Sequence, residues 1–241
     1  MHFRGIDLST YGLIVRQVHE PVSITADSVR LSDRAYAGTG RLAPKGITLD
    51  CVVQGASVSD LAGKLDSIKA VLNTRVDGDL KVYDDRYWSA RFESMDGHRL
   101  PSVWTGTLAF IAYNPLAYST SETSSDHSID SDPKTVTETT SGTGYIRPVF
   151  TLTAGETLTA VTITLESLNT EESLSWTGSL ADGDELGIDT VNQIVSKNGT
   201  VDMDTVDGQF PRLLPDTGNS IKVTNLSTTG SLNITYRDTY L

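Results

Sequence analysis

The sequence predicts an all-β protein with one helix, arranged as two β-sandwich modules. Three observations carry this. Short runs of alternating apolar and polar residues recur along the chain between turn residues, whereas only one segment has helical spacing. Glycine is frequent, at 20 of 241 residues, with 38% hydrophobic and 21% charged residues, a composition of a turn-rich globular protein. Charge is also unevenly placed: residues 1–118 hold 13 Lys/Arg against 13 Asp/Glu, and residues 119–241 hold 6 against 18. The net charge of −12 therefore sits entirely in the second half. The expected organisation is an N-terminal domain over 1–118, a Ser/Thr-rich linker over 119–141 and a C-terminal sandwich over 142–241. The chain is long enough for each module to bury a core.

The first module opens with MHFRGIDLSTYGLIVRQV, which alternates as a strand does and turns at Tyr11-Gly12. In KGITLDCVVQG, Ile47, Leu49, Cys51 and Val53 share one face of a second strand. The helix lies at about 59–73, where Leu61, Leu65, Ile68 and Leu72 form one apolar stripe behind Ser57 or Ser59 as N-cap. GDLKVYDDRYWSARFESM gives two strands around an Asp84-Asp85 turn. SVWTGTLAFIAYNP is a long strand halted at Asn114-Pro115, because proline has no amide hydrogen for a ladder.

Residues 119–144, STSETSSDHSIDSDPKTVTETTSGTG, carry too little apolar area for a core of their own, although KTVTETT can dock as an edge strand. The second module is a series of short strands. TAVTITLE turns Val161, Ile163 and Leu165 inward. Asn198-Gly199 in IVSKNGTVDM is the pair suited to the positive φ angles of a type I′ hairpin. Several such strands at regular spacing indicate a sandwich of jelly-roll or galectin type.

Catalytic signatures fail. His2, His19, His98 and His127 are scattered, with no H-E-x-x-H, G-x-S-x-G or Walker pattern. DMDTVDG has the start of a calcium loop, but Val206 and Leu213 stand where oxygen ligands are needed. ADGDEL reads as a solvated turn. Cys51, the one cysteine, sits in a strand as a small hydrophobe and excludes an intrachain disulfide. The opening residues lack the basic and apolar regions of a secretory signal, and no apolar run is long enough to span a membrane. An acidic second half argues against phosphate gripping. No catalytic, metal or cofactor site is expected, and Phe150 and Trp176 read as core.

The order of motifs resembles the distal tail protein (Dit) family of long-tailed, non-contractile phages. Its marks are Phe3, Gly5 and Tyr11-Gly12 at the start, the lone helix, DLKVYDDRYWSARF, and FIAYNPLAY with Asn114 and Pro115. YIRPVFTLTAG, LADGDELGIDT, Asn198-Gly199, GQFPRLLPDTGNSIKV and ITYRDTYL follow in the second half. In GQFPRLLPDTGNSIKV the marks are Phe210, Pro211, Pro215, Gly218 and Asn219, with Asp216 and Thr217 inserted where the family keeps Pro and Gly adjacent. The prolines are expected to hold this stretch extended, and Gly218-Asn219 to take positive φ and re-aim it.

The resemblance implies a virion structural protein of the tail tip or baseplate, assembled in the host cytoplasm. It implies a homohexameric ring through the N-terminal domain, contacting tail tube, tape-measure and tail-hub proteins, with DNA passing the channel unbound. Galectin-like C-terminal domains would carry receptor-binding or side-fibre proteins. The alternative is a carbohydrate-binding protein acting through the C-terminal sandwich. A glycan array separates the two: saturable binding abolished by Trp176→Ala is the lectin outcome, and no binding is the expected one.

Overall fold

The computed structural model describes residues 1–21, 24–25, 28–31, 34–37, 41–226 and 228–241. The chain divides into two compact units, residues 1–118 with Leu241, and residues 119–240. The first begins with strands β1 (His2–Phe3) and β2 (Ile6–Asp7), a 3-10 turn over Leu8–Tyr11, and β3 (Leu13–His19). Strands β4 (Ile24–Thr25), β5 (Ser28–Leu31), β6 (Arg34–Ala37) and β7 (Arg41–Leu42) pair among themselves as β4 with β7 and β5 with β6. Then come β8 (Lys45–Gln54), helix α1 (Val58–Leu72), β9 (Gly78–Lys81), β10 (Arg86–Arg99), β11 (Val103–Ala112) and β12 (Ala117–Ser119). The main path of this unit's sheet runs β2-β1-β9-β10-β11-β8-β3, and β12 pairs with β10 off this path.

Local chemistry explains these boundaries. Asp7 accepts the Ser9 amide at 2.9 Å, which tightens Leu8–Tyr11 into the 3-10 turn instead of continuing a strand. Ser57 Oγ accepts the Asp60 amide at 3.1 Å while the Asp60 carboxylate accepts the Ala56 amide at 2.7 Å, a reciprocal cap that starts α1. The helix buries Leu61, Leu65, Ile68 and Leu72, as the spacing predicts, and starts one residue earlier. Lys45, buried at the head of β8, places Nζ 3.5 Å from Glu20 and 5.4 Å above the Trp88 ring. In the β10–β11 hairpin Gly97 and Gly106 face each other. A Cβ on Gly106 would lie 2.0 Å from the Asp96 carbonyl oxygen and 2.6 Å from the Trp104 ring. Both glycines therefore give the indole room to lie on the ladder.

The second unit contains β13 (Thr123–Ser128), β14 (Lys134–Thr139), β15 (Val149–Thr153), β16 (Leu158–Ser167), β17 (Glu172–Leu180) and β18 (Glu185–Asp189). It continues with β19 (Ile194–Lys197), β20 (Thr200–Val201), β21 (Val206–Gly208), β22 (Gly218–Thr224), β23 (Ser231–Tyr236) and β24 (Thr239–Tyr240). Two antiparallel sheets, β13-β23-β15-β18-β19-β20 and β14-β22-β16-β17-β21, enclose one core. Phe150, Leu152, Ile188, Leu232 and Ile234 enter it from one sheet; Ile163, Leu165, Trp176, Ile221 and Val223 enter from the other. Alternation along each strand puts these side chains inward.

Residues 119–141, expected as a linker, are instead part of this sandwich. β13 pairs with β23 over Thr123–Ser128, and β14 pairs with β22 over Lys134–Thr139, each as an edge strand of its sheet. An edge strand needs only one neighbour and a few buried side chains, so Ile129 and Val136 suffice as apolar anchors. The remaining inward positions are polar and bond to one another, so their composition hides their burial.

Filling the glycine contact should strain the first unit. Gly106→Val is expected to destabilise the protein by about 1–3 kcal/mol through overpacking, measured by urea denaturation; Gly46→Val, with open space at its Cβ position, should cost much less.

Candidate functional site

The family-motif residues gather most densely in the loop between β21 and β22. Three ties fix it. Leu213, fully buried, forms a two-way backbone bridge with Ile146, at 2.9 and 3.0 Å. Arg212 holds the start of β17: its amide donates to Glu172 Oε2 at 2.9 Å, its Nε donates to Oε1 at 2.8 Å, and Nη2 makes a further short bond to Oε1. The guanidinium also lies 4.8 Å from the Tyr145 ring centroid. Burial opposes ionisation of Glu172, yet the hydrogen bonds and charge of Arg212 outweigh it and hold the carboxyl below its ordinary range.

Asn219 supplies the third tie. Its side chain is 0% exposed. Oδ1 accepts the Leu214 amide at 2.7 Å, and Nδ2 donates to the Leu214 and Thr217 carbonyls and to Thr140 Oγ1 at 3.0–3.2 Å. Thr140 Oγ1 in turn donates to the Leu214 carbonyl at 2.6 Å. The loop thus wraps around one carboxamide, which satisfies main-chain groups that no ladder reaches. This corrects the expectation for Gly218-Asn219. Both residues lie inside β22 without positive φ, and the left-handed residue is Asp216, at φ 46°. The inserted Asp216-Thr217 pair therefore makes the turn, which frees Asn219 to face inward. Pro211 is buried beside half-buried Phe210 and Pro215.

The other motif positions are structural too. Phe3 is buried with its ring 5.3 Å from that of Phe110. Gly5, at φ 77°, turns β1 into β2, and Gly12, at φ 76°, caps the 3-10 turn that ends at half-buried Tyr11. Asn114 bonds Tyr118 Oη at 2.6 Å and accepts the Leu116 amide at 3.2 Å, fixing the turn through Pro115 after β11. Asn198 and Gly199, at φ 47° and 76°, form the β19–β20 hairpin turn. The Asn198 side chain reaches Asp184 Oδ1 at 2.9 Å and the Glu185 amide at 2.8 Å.

Residues that sequence reasoning passed over close the two flanks of the sandwich. At one flank, Glu138 on β14 accepts from Ser125 at 3.1 Å and lies 2.5 Å from His127 Nε2, both on β13. At the other, Asp202 after β20 accepts the Trp176 indole N–H at 3.1 Å. Each bond links one sheet to the other. The signal was the alternation of KTVTETT, which puts Glu138 on the same side as buried Val136.

Chemical reactivity is not assembled among these groups. Cys51 is buried and desolvation pushes its thiol up to about 12. His19 pairs with Asp50 at 3.4 Å and His2 lies 3.9 Å from Asp7, far apart in sequence and each beside a single carboxylate. Among the described residues no cluster of three His, Cys, Asp or Glu side chains could hold a metal. Among those residues no helix is long and apolar enough to cross a membrane.

The fold of both units can be compared with known proteins. Residues 141–240 match the family model described as siphovirus-type tail component, C-terminal domain. The whole chain is similar in fold to the crystal structure of the Dit protein (gp 19.1) of phage SPP1, described as a hub adsorption apparatus paradigm in phages infecting Gram-positive bacteria. That likeness has a TM-score of 0.78 at 17% identity and covers 99% of this chain and 98% of that one. Chains of the phage p2 baseplate in its activated conformation, with Sr and with Ca, match at TM-score 0.46 with 9% and 8% identity, over 95% of this chain and 92% of theirs. No curated protein sequence matches the chain. The second unit thus matches the model of that C-terminal domain in sequence, and the whole chain shares the fold of SPP1 Dit.

Two measurements check the loop. Asn219→Ala strands the Leu214 amide and should cost about 1–3 kcal/mol, whereas Asp216→Gly, relieving a left-handed residue, should be neutral or stabilising in the same thermal melts. Glu172 has a folded value below its ordinary 4.5, so its contribution is complete above that pH and is lost as pH falls through the folded value. Glu172→Gln should be less stable than the parent at neutral pH, and the gap should close in acid.

Proposed function

We propose that the protein is the hub of a phage tail tip, six copies closing into a ring through their first units between the tail tube and the tip or baseplate. The observation that carries this reading is the whole-chain fold likeness to SPP1 Dit, at TM-score 0.78. The match of residues 141–240 to a tail-component domain supports a structural role in a phage tail; the ring and its neighbours go beyond that match. Contacts with tube, tape-measure and tail-hub proteins fall to the first unit. The second units face outward and hold receptor-binding or side-fibre proteins.

Physical features support the division of labour. The first unit is charge-balanced, which suits two different complementary faces in a heterologous ring. That balance also leaves the ring-forming unit without the net basic charge that grips phosphates, so DNA can pass. A structural, non-enzymatic role is part of this reading, and the dispersed histidines and buried thiol are compatible with it. A sugar platform would need exposed rings, but Phe150 and Trp176 are core residues and the exposed ring of Tyr145 lies beside Arg212. Loss of binding on Trp176→Ala would therefore report lost packing rather than a lost ligand contact.

Light scattering and negative-stain imaging of the chain, alone and with its tail tube protein, provide the test. Six-fold rings, free or capping tube ends, are expected. A species of one-chain mass that adds to no tail protein would end this reading.

A further inference from the structure

Asn198-Gly199 is the one Asn-Gly pair in the sequence, and it forms the exposed tip of the β19–β20 hairpin. This dipeptide carries a reaction of its own. The Gly199 backbone nitrogen follows the Asn198 carboxamide carbon at the spacing that closes a small cyclic imide, and glycine has no Cβ to obstruct the approach. Space around Gly199 is open, since a Cβ built there would meet no atom within 4 Å. Water and hydroxide therefore reach the turn.

The carboxamide itself is held. Asn198 Oδ1 accepts the Glu185 amide at 2.8 Å, and Nδ2 donates to Asp184 Oδ1 at 2.9 Å. The Asn198 amide donates to the Glu185 carbonyl at 2.8 Å, so main chain and side chain are both fixed to the head of β18. Asp184 is fixed in turn. Its Oδ2 accepts the Ala181 amide at 2.8 Å and lies 3.2 Å from Lys197 Nζ, which donates to the Ser179 carbonyl at 2.7 Å. Imide closure requires the carboxamide carbon to swing onto the Gly199 nitrogen, and that movement breaks both side-chain bonds.

We propose that Asn198 is a deamidation site which the fold keeps closed through Asp184 and the Glu185 amide, and that its modification is one-way. The Gly199 nitrogen gives up its proton and attacks Asn198 Cγ. The N–Cγ bond forms, the Cγ–Nδ2 bond breaks, and Nδ2 leaves as ammonia with that proton. Water then opens the imide at either carbonyl, giving aspartate or isoaspartate with no oxidation or reduction. Either product replaces the amide that donated to Asp184 with a second carboxylate. Like charges then meet where a hydrogen bond stood, and Lys197 is already shared between Asp184 and the Ser179 carbonyl. The turn cannot close again on the same partners.

Peptide mapping by mass spectrometry of the full chain, aged in mildly alkaline buffer with and without urea, tests the site. In the urea-unfolded chain, conversion of amide to acid should be faster at Asn198 than at any other asparagine; a slower or equal rate there would overturn the site. The folded parent should convert roughly tenfold more slowly or less, and a rate equal to that of the unfolded chain would overturn the lock. Asp184→Ala removes one of the two side-chain bonds and should speed conversion in the folded chain roughly tenfold, as loss of a hydrogen bond to a charged group does. That rate is taken below the variant's own melting temperature. Asp184→Asn keeps an acceptor oxygen in place and should fall between the parent and Asp184→Ala. A rate at or below the parent's in either folded variant overturns the lock, because a carboxylate that assisted the attack would be lost by the same substitutions. Asn198→Asp reproduces one product directly and should melt below the parent at neutral pH; equal melting would overturn the one-way step.

Discussion

Backbone N–H and C=O groups along a sheet edge must find partners or water, and a sandwich of two sheets presents that demand at both flanks. The second unit meets it twice by the same device. One segment passes from β13 at the edge of the first sheet to β14 at the edge of the second, and another passes from β20 to β21 at the far side. Each crossing carries a side-chain bond between sheets, from Ser125 and His127 to Glu138 and from Trp176 to Asp202. The apolar core is therefore enclosed on both flanks by polar chain that contributes little apolar area itself.

Burying Glu138 and Asn219 is tolerable because each has several partners; an unpaired buried amide or carboxylate would cost more than its removal would gain. In return such groups fix where the chain goes. Leu and Val pack in many arrangements, but Asn219 accepts from one amide and donates to three neighbouring oxygens in one loop shape. Arg212 adds direction, since a guanidinium bonds a carboxylate in few geometries. These ties give the β21–β22 loop one definite form.

The first unit is built on a different balance. Its ladder is long, and β3 at its end pairs only with β8 among the described residues. The second unit is acidic and the first charge-balanced.

Much of this was legible in the sequence. Helical spacing placed α1, alternation placed β8, β11 and β16, and Asn198-Gly199 placed a hairpin, because these signals are local and depend on periods of 3.6 and 2 and on positive φ. The motif order led to the family for the same reason, since turn residues stand at fixed offsets. Of residues 119–141 only KTVTETT, which became β14, was legible as an edge strand; β13 was not. Their burial depends on β22 and β23, nearly a hundred residues away, and polar side chains can face inward only when Ser125, His127 and Glu138 meet. The turn at Asp216 was misplaced onto Gly218-Asn219 because composition favours glycine and asparagine there, whereas the carboxamide of Asn219 is needed inside to close the loop onto Thr140. The sequence by itself determined most of the elements and the charge of each half. Only the tertiary structure decided which polar residues are buried and which distant strands pair, because both depend on partners that proximity along the chain does not supply.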